Sequence, residues 1–166
     1  MLIDNAITGV HCTLRNIEVR DVEFVIALRH DSSRNQYLNS IHADVLVQSE
    51  YIKNQRESPS SVYLVIEDLF YNCVGTLKIT DLDTTRPSWG SWAIVAGTNP
   101  RIAPESAKLT YKIITQLSSA EEVVFSVSIG NDSVRRFHER CGAKVIDVTD
   151  VEYKMSITRE AILSLL

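Results

Sequence analysis

From residue 62 onward the apolar positions change spacing, and that change divides the chain into predicted elements. VYLVIED over 62–68 and CVGTLKITD over 73–81 have the texture of strands around a turn at 69–72. In the second of these, Leu77 and Ile79 fall on one face and Lys78 and Thr80 on the other, as expected for an antiparallel hairpin. WGSWAIV predicts a further strand, ending in a loop at 96–104. Residues 104–119 carry Ala107, Tyr111, Ile114 and Leu117 on one helical face, with Pro104 at the first helical position. VVFSVSI follows, with Phe125, Val127 and Ile129 alternating against Ser126 and Ser128. Strand, helix, strand in that order predicts a parallel pair. A short helix over 133–141 with Gly142 as its left-handed cap, strands at 144–149 and 152–157, and a final helix over 159–165 complete the pattern.

Before residue 62 the signals are sparser. A strand is predicted over 12–16, and Asp21 can cap a helix to residue 29 with Val22, Val25, Ile26 and Arg29 at helical spacing. A second helix is expected over 44–57, capped by Asp44 and stopped before Pro59. These two helices, with the loop 31–43 between them, read as an irregular, mostly polar insert.

At 166 residues and 45% apolar content the chain suits one domain spanning its whole length. Residues 1–10 lack a basic start and a long apolar run, so a cytoplasmic protein without a membrane segment is expected. A net charge of −4 disfavours a nucleic-acid or membrane-surface partner. Residues 100–142 alone are net positive, with 6 Lys and Arg against 5 Asp and Glu. Cys12, Cys73 and Cys141 are odd in number and far apart, and the four histidines show no ligand spacing, so neither a disulfide framework nor a metal is expected. Cys141, at a helix C-terminus, reads as packing rather than as a nucleophile.

The segment NDSVRRFHERCGAKV is the sharpest motif. Its Asn131, Val134, Phe137 with His138, Gly142 and Ala143 resemble the fourth-helix signature of the GNAT superfamily of acyl-CoA-dependent N-acyltransferases, and the element order over 12–156 resembles that fold. The resemblance implies an α/β (α+β) architecture with one mixed, mostly antiparallel sheet, splayed between the fourth and fifth predicted strands and flanked by helices. It further implies that a pantetheine arm pairs in that splay like an added strand. Ile94 and Val95 would supply backbone contacts, and Asn131, Arg136 and Phe137 contacts from the other side; a plain helix cap is the alternative role for Asn131.

The family's diphosphate loop corresponds to Arg101, Ile102, Ala103, Pro104, Glu105 and Ser106, with Pro104 and Ser106 in place of glycines. Arg101, the N–H groups of Ile102, Ala103 and Ser106, and the Ser106 hydroxyl are the expected phosphate partners, and Glu105 must turn outward.

Acyl transfer from a thioester requires a deprotonated amine and a protonated leaving thiolate. His138 stands where the family places a tyrosine acid; a helix-surface residue is the alternative. The base is not legible: Glu67, His30 (also an acceptor contact) and ordered water are candidates. Trp89 and Trp92 fall on opposite faces by alternation, so at most one faces the acceptor. The WGSW strand ahead of a Pro-Glu-Ser helix start resembles GNAT members that modify bacterial surface sugars, which implies acetyl-CoA as co-substrate and a small, nucleotide-linked amino sugar as acceptor. A protein N-terminus, a polyamine, an amino acid or a non-catalytic acyl-CoA-binding module are alternatives, and a homodimer is allowed.

Overall fold

The computed structural model describes residues 1–31 and 43–166. Most of the predicted insert loop therefore lies outside the described residues. Eight strands pair in the order β1-β2-β3-β4-β5-β6-β8-β7. They are Ile7–Thr8 (β1), Thr13–Asn16 (β2), Val62–Glu67 (β3), Cys73–Thr80 (β4), Ser88–Ile94 (β5), Glu122–Ser128 (β6), Lys144–Val148 (β7) and Glu152–Thr158 (β8). The helices are Val22–His30 (α1), Val45–Glu57 (α2), Ile102–Leu117 (α3), Asp132–Arg140 (α4) and Arg159–Leu165 (α5). The sheet is mixed: β5 runs parallel to β6, whereas β1 with β2, β2 with β3, β6 with β8 and β7 with β8 run antiparallel. The predicted architecture is present, with β1 as an addition too short to show a period.

The chain forms two compact units, Met1–Lys78 with Ser91–Leu109, and Ile79–Gly90 with Thr110–Leu166. In the first, β3 is buried on both faces from Val62 to Ile66, which explains its unbroken apolar run. Ile17, Val22, Val25, Ile52, Tyr63 and Val65 cluster as core, so α1 and α2 bury the stripes that their spacing predicts. Asp44 caps α2 as expected, its Oδ1 accepting from the N–H groups of Leu46 and Val47 at 2.7 and 3.1 Å.

In the second unit, β6 pairs along its full length with β8, from Glu122 with Thr158 to Ser128 with Glu152. The α3 residues Tyr111, Ile113 and Ile114 are buried there. Helix α3 begins two residues before the predicted start. Pro104 is therefore its third residue, which costs nothing because the first four N–H groups of a helix have no intrahelical acceptor.

Candidate functional site

Strand β5 breaks its own alternation. Ser91 adopts φ 51°, a left-handed conformation that re-aims the side chains after it, as a bulge does. Trp89 packs edge-on to Tyr111 of α3 at 5.5 Å, and Trp92 gives its indole N–H to Ser106 Oγ, also on α3, at 3.2 Å. Both tryptophans thus turn toward the same helix, and the expectation of opposite faces fails for this local reason. Trp89 is buried among Phe125 and His138 as well, at 6.2 and 5.5 Å between ring centres. It is core rather than an open seat for a sugar or base.

His138 lies inside that aromatic cluster. Gly142, at φ 95°, supplies the predicted left-handed cap of α4: its N–H bonds Glu139 O at 2.9 Å, and that of Ala143 bonds His138 O at 3.0 Å. This closure holds the last turn of α4 and with it His138, which is 3% exposed, so a helix-surface residue is ruled out. Its ring lies 4.4 Å from that of Phe125, and its Nδ1 is 3.3 Å from the Tyr111 hydroxyl. Burial lowers its pKa to about 4, and burial likewise pushes the Tyr111 hydroxyl up, with the Trp89 indole acting in the opposite sense. The ring is neutral at pH 7. Asn131 occupies the N-cap position of α4, and its side chain makes no capping bond. Arg136 is exposed on α4 and Phe137 half-buried beside His138, their rings 5.2 Å apart.

At the start of α3 the donors expected for a diphosphate are fewer than the sequence implies. Asn99 takes one of them, its carbonyl accepting the N–H of Ile102 at 3.0 Å, while its Oδ1 accepts the N–H of Arg101 at 3.1 Å. Ser106 is fully buried, donating to Ala103 O at 2.9 Å and accepting from Trp92. Its hydroxyl is therefore not a phosphate partner: it sits a helical turn inside α3 and faces the sheet. Glu105 has turned away, as the anion requires. Its carboxylate accepts the backbone N–H groups of Val10, His11 and Cys12 at 2.8, 2.6 and 2.9 Å. Burial opposes the charge of Glu105, but these donors outweigh it and its pKa lies below the ordinary value. The same carboxylate, added to burial, pushes the Cys12 thiol up to about 12. What remains for a diphosphate is the exposed Arg101 side chain and the Ala103 N–H at the positive end of a 16-residue helix. The fit holds with a reduced donor set.

The backbone of Val95 is also committed within its unit. Its N–H bonds Val74 O at 2.8 Å, and its carbonyl accepts the Thr98 hydroxyl at 2.7 Å, in a turn that uses Gly97 at φ 78°. Glu67 accepts from Arg15 Nε at 2.7 Å, while the two Nη groups of Arg15 grip Asp21 at 2.8 Å each. Burial raises the pKa of Asp21, but Arg15 and the Glu18 backbone overcome this and hold it below its usual value. Sequence reasoning missed this triad, in which Asp21 is buried and Arg15 and Glu67 are half-buried. An arginine next to the core residue Leu14 in a short strand was the available signal. His30 is exposed, with Nδ1 2.9 Å from Ile26 O. Among the described residues no group of three or more His, Cys, Asp or Glu side chains is placed to hold a metal ion, and no helix is long and apolar enough to cross a membrane.

A mixed sheet with a parallel β5–β6 pair and a long helix between those strands places the chain among α/β proteins whose helix N-terminus can receive an anion. The acetyltransferase (GNAT) domain family matches residues 11–144. The chain belongs to the GNAT acetyltransferases. Among solved structures, FdhC, described as a nucleotide-linked sugar GNAT, superposes with a TM-score of 0.87 at 26% identity, covering 98% of this chain and 94% of that one. A spermidine N-acetyltransferase from Vibrio cholerae in complex with CoA and spermine superposes at 0.79 with 15% identity, covering 93% of this chain and 99% of that one. A dodecameric structure of the Vibrio cholerae spermidine enzyme gives 0.78 at 14% identity, covering 95% and 99%. No curated protein sequence matches.

Proposed function

We propose that this protein transfers the acetyl group of acetyl-CoA to a primary amine of a small, nucleotide-linked amino sugar, by direct attack without a covalent enzyme intermediate. The observation that carries the acceptor is the near full-length likeness to the sugar GNAT at 26% identity, against 15% or less for the spermidine enzymes. Residues 1–166 are read as one functional domain, since β4, β5 and α3 each run through both units. In the first unit Arg101 and the Ala103 N–H hold phosphate, and Ile94, rather than Val95 with its N–H and carbonyl already bonded, offers backbone groups to the cofactor arm. In the second, Asn131, Arg136 and Phe137 carry the cofactor contacts. Trp92, half-buried, and the exposed His30 are acceptor-side residues.

When bound, acetyl-CoA supplies an activated thioester. His138 contributes as a neutral ring: with Tyr111 donating to Nδ1, the remaining proton sits on Nε2, where it hydrogen-bonds negative charge developing on the leaving sulfur. With a pKa of about 4 it holds about one imidazolium in a thousand at neutral pH, too few for the usual acid role. Glu67 positions Arg15, because to accept the amine's proton it must first leave a guanidinium at 2.7 Å. The amine's proton would then pass through ordered water to the departing sulfur, so that amine and thioester become amide and thiol.

Acetyl-CoA consumption measured against nucleotide-linked amino sugars, polyamines and basic peptides tests the acceptor; preference for a polyamine or peptide overturns it. Calorimetric titration with acetyl-CoA tests the rest: absence of binding would show that the reduced phosphate donor set has cost the chain its enzyme activity.

A further inference from the structure

The tip of the β3–β4 hairpin presents Leu69, Phe70 and Tyr71 to solvent, at 58%, 81% and 82% exposure. Such a run of bare apolar side chains is unusual at a turn. It is also firmly built. Asp68 Oδ1 accepts the N–H groups of Phe70 and Asn72 at 2.8 and 2.9 Å, Oδ2 accepts Asn72 Nδ2 at 3.0 Å, and Asp68 and Asn72 close the turn between their backbones. Tyr71 completes it at φ 64°. The backbone that carries the exposed Phe70 side chain is therefore held in a defined turn.

That ring forms one wall of a hollow of about 370 Å3. The floor is apolar, from Val74 and Ile102, and the far wall is the backbone loop 96–99, where Gly97 leaves open space with nothing within 4 Å of where a Cβ would stand. The rim carries His11, the Asn99 side chain, whose Oδ1 already accepts from Arg101, the Thr98 hydroxyl, already bonded to Val95 O, and the Asp68 carboxylate, which is occupied by its own turn. Arg101, exposed, follows two residues after Asn99. An aromatic wall, an apolar floor, a polar rim and a neighbouring cation match the parts of a nucleotide: a flat base with a hydrogen-bonding edge and a phosphate. The volume lies near the low end of the roughly 300–1,000 Å3 of small-molecule sites, enough for a base with its sugar and too small for a whole cofactor.

We propose that this hollow seats a nucleobase, stacked on Phe70. The inference rests on the proposed function for the identity of the nucleotide, whose base belongs either to the nucleotide-linked acceptor or to the adenosine of the acyl donor. Calorimetric titration of the whole protein with UMP, TMP and AMP reads base binding without turnover. Phe70→Ala, at an exposed tip position, is expected to weaken the best-bound mononucleotide about 10-fold through lost stacking, and Ala96→Trp to abolish binding by filling the hollow, with thermal melts of both variants checking the fold. In steady-state assays of Phe70→Ala, a raised KM for the nucleotide-linked amine assigns the base to the acceptor, and a raised KM for acetyl-CoA assigns it to the donor. No mononucleotide binding, or equal binding by the wild type and a folded Phe70→Ala, overturns the proposal. A wild type that binds mononucleotides yet acetylates no amine keeps the seat and refutes the proposed function instead.

Discussion

Burial of the His138 imidazole makes the fold sensitive to acid in a window of its own. Its pKa falls from 6.5 to about 4 because burial disfavours the cation. The unfolded chain takes up this proton as pH falls through about 6.5, whereas the folded chain resists until about 4. The contribution to stability is thus fully present above the unfolded pKa and is lost as pH falls toward the folded one. At 1.36 kcal/mol per pKa unit, the interval is worth about 3 kcal/mol, of which about 2 kcal/mol has gone by pH 5. His138→Phe keeps a ring in the cluster of Trp89, Tyr111 and Phe125 but cannot titrate, and it removes the partner of the Tyr111 hydroxyl at about 1 kcal/mol in neutral solution. Urea denaturation of both proteins at about pH 7 and pH 5, followed by tryptophan fluorescence, gives the comparison. His11, His30 and His42 are common to both and cancel in the difference. The stability lost between the two pH values should be smaller in the variant by about 2 kcal/mol; equal losses would refute the burial argument.

Three further outcomes follow from neighbouring contacts. Glu105→Ala strands the N–H groups of Val10, His11 and Cys12, and a loss of about 2 kcal/mol after allowance for solvent screening is expected in chemical denaturation. Because the folded pKa of Glu105 is depressed, its contribution is present above the ordinary carboxylate range and fades as pH falls through the folded value, so the variant should unfold less steeply in acid. Arg15→Met leaves the buried Asp21 carboxylate without its guanidinium and should cost about 3–5 kcal/mol in urea, whereas a change below 1 kcal/mol would show that water already screens the triad. On the proposed mechanism Tyr111→Phe removes the hydroxyl that faces His138 Nδ1; kcat is expected to fall about 10-fold with the KM for acetyl-CoA unchanged, and a shift in KM alone would remove Tyr111 from the chemistry.

The fold was legible where burial on one face imposes a period. The β4, β6 and α3 patterns each point their apolar side chains at core, and the Gly142 cap follows from a conformation that glycine adopts without strain. Strand β1, of two residues, carries no period at all. The start of α3 was displaced because proline marks only the first turn of a helix, and each residue of that turn tolerates it equally on hydrogen-bonding grounds.

For the candidate site, motif spacing names residues but not their partners. Motif spacing places His138, Asn131 and Arg101, but whether each is available depends on residues far away in sequence. Glu105 is drawn off by amides about 95 positions earlier, Ser106 is taken by an indole on β5, and Glu67 by an arginine on β2. The tryptophan faces turn on one residue, Ser91, whose left-handed backbone no alternation rule anticipates in a serine. The protonation state of His138 was out of reach for a related reason. Trp89 comes from β5, Phe125 from β6 and Tyr111 from α3, and only their convergence around His138 on α4 builds the wall that keeps the imidazole neutral.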